Sequence, residues 1–224
     1  MAFVVAESLA EQIANHLANR IIQGDLVNNE RIQEARIVTE LKVSRGSVRE
    51  ALLILERRHL VTIQPRRGAY VTELNADRVR SLYRLYGNLL EMLAEKLSWS
   101  WKEEDKQTLE ALVNKLSNTA AEHDPHQFID ANFELISSAA VAAGNEYLKT
   151  ALDNLQPPLH RALALALRKN LGEMNETSLF VTRLIGYTLG ERCDEVQALV
   201  NEYCKRHCLL VVQAIEANAQ KESI

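Results

Sequence analysis

Several features that define other classes of protein are rare or missing in this sequence of 224 residues. It has no run of eighteen apolar residues and does not open with a basic region followed by an apolar core. We therefore expect no transmembrane span and no secretory signal, and a cytoplasmic location. The three cysteines, Cys193, Cys204 and Cys208, are odd in number and lack a paired CxxC spacing. This pattern favours reduced, partly buried thiols over zinc ligands, with a redox switch as the alternative.

The common motifs of catalysis are missing as well. The hydrophobic content of 47% and the charged content of 25% are those of an ordinary globular protein. No G-x-S-x-G and no glycine-rich phosphate loop occur, and Ser137-Ser138 has no histidine at an informative spacing. We therefore expect neither an enzyme nor a cofactor.

One stretch, residues 31–71, differs in charge from the rest of the chain. Residues 31–70 contain nine Lys and Arg against four Asp and Glu, a balance of +5 within a chain of net charge -4. Ser44 precedes apolar residues at spacings of three and four, so it can cap a helix whose first turns carry Arg45 and Arg49 on one face. A helix start of this kind fits the major groove and can donate bidentate hydrogen bonds to guanine.

The segments on either side of that helix predict a helix-turn-helix followed by a hairpin. Residues 34–41 predict a short first helix, and residues 7–23 predict an amphipathic helix that packs across the pair. After the second helix, residues 60–64 and 69–72 are rich in β-branched side chains, and residues 65–68 between them have turn chemistry. The sequence therefore predicts a two-stranded β-wing with two guanidinium groups at its tip.

These residues resemble the winged-helix domain of the GntR family of bacterial transcription regulators. The run from Val43 to Leu52 is similar to that family's recognition-helix signature, and the run from Arg66 to Val71 is similar to its wing. Where the family usually has an arginine this chain has Ala35, with Arg36 beside it. We expect arginines to read guanines, serines to hold phosphates and the wing to enter the minor groove, and a solvated basic face is the alternative. The candidate DNA contacts are Arg36, Ser44, Arg45, Ser47, Arg49, Arg66, Arg67 and Gly68.

Beyond residue 74 the sequence predicts helices only. Apolar residues keep helical periodicity from Ala76 to Leu97 and in each later segment, while Pro157-Pro158 predicts a kink or break. We expect a mainly α protein: a winged helix-turn-helix DNA-binding domain at residues 1–74, and an all-helical bundle of six or seven helices for effector binding and dimerisation at residues 75–224. The predicted helix caps in the bundle are Asn75, Asp124 and Asn145.

The bundle is similar to the ligand-sensing domain of the FadR-type branch of the family. Many members of that branch hold a metal ion, but the aligned positions here are Asn132, Ile136, Thr182 and Lys205, which do not form a ligand set. A different register would use Asp130 and Glu134 with His160 or His207. We prefer to interpret those four as ordinary helix residues, so we expect no metal.

The resemblance implies that a small-molecule effector binds in the bundle. The missing metal set favours a fatty acyl-CoA or another organic acid derivative. Aromatic residues could line such a cavity, although aromatic residues at helical spacing also suit a core; the candidates are Tyr83, Tyr86, Phe133, Tyr187 and Tyr203. We expect a homodimer that binds a short palindromic operator and controls metabolic genes. One alternative is a bundle that serves dimerisation only, and another is an enzyme with an appended DNA-binding domain, which no residue set supports.

Overall fold

The computed structural model describes residues 7–190 and 192–222, apart from the side chains of 193 and 218–222. The chain divides into two compact units, one ending at Leu74 and the other beginning at Asn75. Within the described ranges the elements follow in the order α1 (Leu9–Gln23), β1 (Arg31–Ile32), α2 (Glu34–Leu41), α3 (Arg45–Arg57), β2 (Val61–Gln64), β3 (Gly68–Val71), α4 (Ala76–Ser100), α5 (Glu103–Ala121), α6 (Pro125–Ala142), α7 (Glu146–Lys169), α8 (Glu173–Leu189) and α9 (Cys193–Glu222).

The first unit packs three helices against a small antiparallel sheet. α1 begins after Ser8, whose hydroxyl accepts a hydrogen bond from the backbone N–H of Glu11. It ends at Gly24, whose φ of 85° is the left-handed conformation typical of a helix end. The buried side of α1, which includes Leu17 and Ile21, packs against α3 and completes the core of this unit.

The helix-turn-helix is formed by α2 and α3, with a connection of three residues. Lys42 adopts the left-handed conformation (φ 54°), which turns the chain sharply after α2. Ser44 caps α3, and the apolar residues spaced three and four apart along that helix are all buried: Val48, Ala51, Leu52 and Leu55. The predicted helix pair is therefore confirmed.

The wing has one more strand than the sequence predicts. β2 and β3 form the expected antiparallel hairpin, and β1 pairs with the other edge of β3, with Arg31 opposite Tyr70. The predicted two-stranded hairpin is therefore confirmed, and only β1 was missed, because its two residues are too few for the alternating pattern that marks a strand. As a result Arg31 becomes part of the wing.

The second unit contains six helices, α4 to α9, among the residues described. The sequence predicts a kink or break at Pro157-Pro158, and a break is wrong because α7 is continuous from Glu146 to Lys169, whereas the kink stays a prediction. The buried side of α7 passes through these prolines, with Leu155, Pro158 and Leu159 all in the core. Burial of this apolar side offsets the hydrogen bonds that the prolines remove.

α4 is the central helix of the bundle. It packs most extensively against α9 and also touches α6, α7 and α8, while α5 packs on α6 and α8. The caps of α4, α6 and α7 are the predicted Asn75, Asp124 and Asn145, each accepting a hydrogen bond from the first turn of its helix. None of the helices described is both long enough and apolar enough to cross a membrane.

Candidate nucleic-acid interface and buried polar cluster

The two serines at the start of α3 bond to each other. The Ser44 hydroxyl accepts a hydrogen bond from the Ser47 backbone N–H at 3.0 Å, and the two hydroxyl oxygens lie 2.9 Å apart. Ser44 is exposed and Ser47 is half-buried. The pair fixes the first turn of α3, so the side chains that follow leave the helix in defined directions.

Arg45 and Arg49 both lie on the exposed face of α3. The Arg45 guanidinium has no hydrogen bond or ion pair with any residue that the structure describes. The Arg49 Nε donates to Glu34 Oε2 at 3.0 Å, while the arginine side chain stays 69% exposed. An exposed pair of this kind contributes only about 0–1 kcal/mol to stability. Glu34 therefore orients Arg49 and leaves its two terminal nitrogens available as donors.

The tip of the wing presents further guanidinium groups. Arg66 and Arg67 are exposed, and among the described residues their guanidinium groups have no hydrogen-bond or ion-pair partner. Gly68 has a φ of 98°, and a Cβ there would lie 3.6 Å from the Nε of Arg31, so the two are neighbours. Because β1 places Arg31 beside the turn, the wing carries three arginines rather than the two predicted.

Arg36 is less free than the other candidates for DNA contact. It is exposed on α2, with its Nε 4.0 Å from Glu40, which also pairs with Arg20 at 3.4 Å. Sequence reasoning missed Arg31 and Glu34. Arg31 could have been found, because it is one of the nine basic residues counted in residues 31–70. Glu34 could not, because it meets Arg49 only through the packing of α2 on α3.

Two of the five predicted aromatic residues flank one histidine in the bundle, and a third lies close to one of them. Tyr83 and Tyr203 lie 5.4 and 5.3 Å from His207, measured between ring centroids. Tyr86 is buried close to Tyr203. Burial is the main cause of the raised pKa of Tyr86, and the nearby Tyr203 raises it further. The remaining two have other neighbours: Phe133 stacks on His160, and the Tyr187 ring lies 4.5 Å from the Arg192 guanidinium.

His207 is a buried imidazole with one nitrogen unsatisfied. It is 1% exposed, and its Nδ1 lies 2.6 Å from the Tyr83 hydroxyl. Burial and then the nearby charge of Arg206 lower the pKa of His207 to about 3, so the ring is neutral at pH 7. Burial raises the pKa of Tyr83, so its hydroxyl keeps its proton. We assign that hydroxyl as the donor to Nδ1, which puts the imidazole proton on Nε2.

The Nε2–H of His207 has no hydrogen-bond partner among the described residues. A buried donor left unpaired costs about 1–3 kcal/mol, so it suits an acceptor supplied from outside the chain. Beside it, Arg206 Nη1 donates to both carboxylate oxygens of Glu173, at 2.9 and 2.7 Å. We call these residues the buried polar cluster: Tyr83, Glu173, Tyr203, Arg206 and His207. The interpretation of His207 as an ordinary late-helix residue missed this cluster. The spacing of four residues between Tyr203 and His207 places both on one helix face and was the available signal.

The alternative metal register does not form. Glu134 is paired with Lys115 at 2.6 Å, and His207 is bonded to Tyr83. Among the residues described, no three His, Cys, Asp or Glu side chains converge to hold a metal ion.

Cys204 and Cys208 are poor candidates for a redox switch. Cys204 is buried, and burial raises the pKa of its thiol to about 12. Cys208 is half-buried, and burial raises the pKa of its thiol as well. Thiols with raised pKa values are weak nucleophiles because little thiolate is present at pH 7. The Cys193 side chain lies outside the described residues.

The fold and these sites define the class of protein: a winged helix-turn-helix DNA-binding unit joined to an all-helical bundle, as in transcription regulators. A family model described as bacterial regulatory proteins, gntR family, matches residues 9–71, and an FCD domain model matches residues 70–179. The chain belongs to the GntR family and is a transcription regulator with an FCD effector-binding domain. The resemblance stated from the sequence is confirmed, and the matched families consist of regulators rather than enzymes.

Individual relatives agree with this assignment. The chain is 28% identical over 153 residues to the HTH-type transcriptional regulator YdhC of Bacillus subtilis (strain 168), covering 66% of this chain and 67% of that regulator. It is 25% identical over 169 residues to the gluconate operon transcriptional repressor of the same bacterium, covering 75% of this chain and 69% of the repressor. E. coli McbR/YncC has a similar structure, with a TM-score of 0.76 at 20% identity over 92% of this chain and 98% of that chain. At that identity the likeness shows the shared fold.

Proposed function

We propose that this regulator binds a short palindromic operator as a homodimer and releases or engages it in response to a small molecule held in the bundle. Residues 1–74 serve DNA binding, and residues 75–224 serve effector binding and dimerisation. Because DNA is the proposed partner, a cytoplasmic location is part of the proposal. The name of one relative, a gluconate operon transcriptional repressor, supports control of metabolic genes.

The observation that carries the DNA-binding role is the state of the arginines at the start of α3 and at the wing. Arg45, Arg66 and Arg67 are exposed and, within the described residues, unpaired, and Arg49 keeps two free nitrogens. Unpaired guanidiniums are ready to contact phosphates and guanines without first breaking an internal bond. Arg45 and Arg49 read bases, and Ser44, Ser47 and the wing position the helix. Arg36 contributes a weaker contact because Glu40 partly neutralises it.

Selection of genomic fragments tests the DNA-binding role. The purified protein is incubated with fragmented genomic DNA in an excess of bulk competitor, and retained fragments are sequenced and assayed by fluorescence anisotropy. We expect enrichment of a palindromic sequence, bound at least a thousandfold more tightly than a scrambled copy at the same salt concentration. Absence of any enriched sequence would refute the regulator's specificity for an operator.

The buried polar cluster supports the effector role. An unpaired Nε2–H donor beside Tyr83 and Tyr203 suits the carboxylate or carbonyl oxygen of an organic acid derivative. The alternative, a bundle that serves dimerisation only, gives this buried donor no role. A fatty acyl-CoA is the first compound to test, followed by free organic acids.

Titration with oleoyl-CoA tests the first of these compounds. We expect saturating oleoyl-CoA to change operator affinity in the wild-type protein and to have no effect in His207→Phe. This variant keeps an aromatic ring at the position but removes the Nε2–H donor. A shift by an effector requires different affinities for two states of the protein, so tenfold is a reasonable size for the change. Unchanged affinity in the wild type would exclude acyl-CoA as the effector.

A further inference from the structure

Beside the buried polar cluster lies a second polar atom that the fold leaves unsatisfied. Thr177, one turn after Glu173 on α8, is fully buried. Its Oγ1, like the Nε2 of His207, has no hydrogen-bond partner among the described residues. Burial raises the pKa of Tyr203 and Thr177 partly opposes this rise, so the two hydroxyls are neighbours, although they do not reach hydrogen-bond geometry. Buried polar atoms are nearly always paired, so two unpaired ones in one place indicate a group supplied from outside the chain.

The packing of α8 on α9 brings these two side chains together. Phe180 of α8 stacks on Tyr203 of α9, with ring centroids 3.8 Å apart. Thr177 is three residues before Phe180 and therefore lies on the same face of α8. His207 is four residues after Tyr203, with ring centroids 5.3 Å apart. Both unpaired atoms therefore belong to side chains that adjoin the Tyr203 ring.

The buried polar cluster contains one positive and one negative charge, and these two neutralise each other. Arg206 Nη1 donates to both carboxylate oxygens of Glu173, whose side chain is 5% exposed against 34% for the arginine. After burial, the charge of Arg206 is the only influence on the pKa of His207 from any described residue. The imidazole is itself neutral at pH 7. The cluster therefore offers a hydrogen-bond donor without an uncompensated positive charge.

We propose that this cluster binds an uncharged acceptor, the carbonyl oxygen of an ester, thioester or amide, and that Glu173 is the residue that excludes a free carboxylate. A carbonyl oxygen accepts from the His207 Nε2–H and brings no charge into the bundle. A carboxylate would lie beside Glu173 and share with it the single positive charge of Arg206, so one negative charge would be buried without compensation. Taking a carboxylate out of water costs far more than taking out a carbonyl, and one neutral donor does not offset the difference.

This inference rests on the effector role of the proposed function and names the class of effector. Of the two acceptors that suit the His207 donor, carboxylate and carbonyl, the charges select the carbonyl. Acyl thioesters, esters and amides belong to this class, whereas free organic acids do not. Arg206 is the most exposed member of the cluster, so the ligand reaches the donor from that side of the bundle.

The first test compares two probes that share a carbon skeleton and differ in charge, hexanamide and hexanoate. Protein labelled isotopically on the histidine nitrogens reports binding through the NMR signals of the imidazoles, and His207→Phe identifies the His207 signals by removing them. We expect hexanamide to shift the His207 Nε2 signal saturably, and hexanoate at neutral pH to bind at least about tenfold more weakly. Equal binding of the two probes, or no shift with either at its highest soluble concentration, would overturn the inference.

The second test changes the selectivity through Glu173. Glu173→Gln keeps the shape of the side chain and leaves the positive charge of Arg206 free to pair with a carboxylate. We expect this variant to bind hexanoate about tenfold more tightly than the wild type and to lose its preference for hexanamide. Hexanoate binding that stays at the wild-type level would contradict the role of Glu173.

Glu176→Gln is the matched control for that variant. Glu176 is exposed on the same helix, and within the described ranges its side chain has no hydrogen bond or ion pair. The control removes the same charge and should keep the wild-type preference for hexanamide. Circular dichroism checks that both variants keep their helix content. If Glu173→Gln does not, the comparison of the two probes in the wild type decides alone.

Operator binding distinguishes failure of this inference from failure of the proposed function. If hexanoate and hexanamide bind equally well and the wild type selects an operator, the class of effector is wrong and the regulator function stands. If neither probe binds and oleoyl-CoA leaves operator affinity unchanged, this inference fails and the effector role loses its support, while DNA binding is unaffected. If the wild type selects no DNA sequence, the proposed function fails, and the two probes still decide which group the cluster accepts.

Discussion

At the scale of single residues, the difference between paired and unpaired arginines decides which side chains are available to DNA. Arg58 bonds to Glu11 and Asn15 and so holds α3 to α1, whereas Arg45 is unpaired among the described residues. Within this one basic segment, an arginine side chain can have no partner, or it can bond to a carboxylate or to an amide. Charge count alone therefore overstates the surface that can meet a nucleic acid.

Arg45→Ala and Arg49→Ala should each remove a specific contact. We expect a loss of about 1–3 kcal/mol in operator binding and relaxed preference at the base pair concerned, with binding to random DNA little changed. The matched control is Arg57→Ala in the last turn of α3, which should leave sequence preference unchanged. Anisotropy titrations with single-base operator variants measure both effects, and an equal loss on random DNA would show that these arginines contact phosphate only.

His207 should make the stability of the protein depend on pH. Its pKa falls from 6.5 to about 3 on folding, so between those values the unfolded chain binds a proton that the folded chain excludes. The free energy of unfolding should therefore decrease as pH falls through this window, by at most about 1.4 kcal/mol per pH unit from this group. Urea denaturation between pH 4.5 and 6.5 measures the slope, which should be shallower in His207→Phe. Identical slopes would contradict the assignment of a neutral, buried ring.

At the scale of secondary-structure elements, the sequence predicts what is local and misses what depends on packing. The cap at Ser44 and the buried side of α3 follow from spacing within one helix, so both could be predicted. β1 is a strand only because β3 lies beside it, and Glu34 meets Arg49 only because α2 folds back on α3. Likewise, His207 was undervalued because its partner Tyr83 is on a distant helix, and no local pattern joins the two.

The two prolines in α7 offer a test at this scale. Pro157→Ala should stabilise the protein by about 1–3 kcal/mol, because an alanine restores a helical N–H donor in a helix that is already continuous. Pro125→Ala is the control, since Pro125 occupies the first turn of α6, where proline costs no hydrogen bond. Thermal and urea unfolding measure both. A destabilised Pro157→Ala would show that the proline ring contributes packing that outweighs the missing bond.

At the scale of the whole molecule, the DNA-binding segment has a charge opposite in sign to the net charge of the chain. Residues 31–70 carry +5 while the chain as a whole carries -4, so the remainder carries -9. A protein with this division is not held to DNA by its net charge and binds through one segment only. In a dimer the segment is present twice, so each phosphate contact counts twice in the salt dependence of binding.

The salt dependence of operator binding therefore reports the number of basic segments that touch DNA together. Each phosphate neutralised contributes about 0.9 to the slope of log affinity against log salt. Replacing both Arg66 and Arg67 with alanine should lower the slope by up to about 4 in a dimer and by up to about 2 in a monomer. A decrease of no more than about 2 in the double variant would contradict the proposed dimer on the operator, because it would mean that only one wing contacts phosphates.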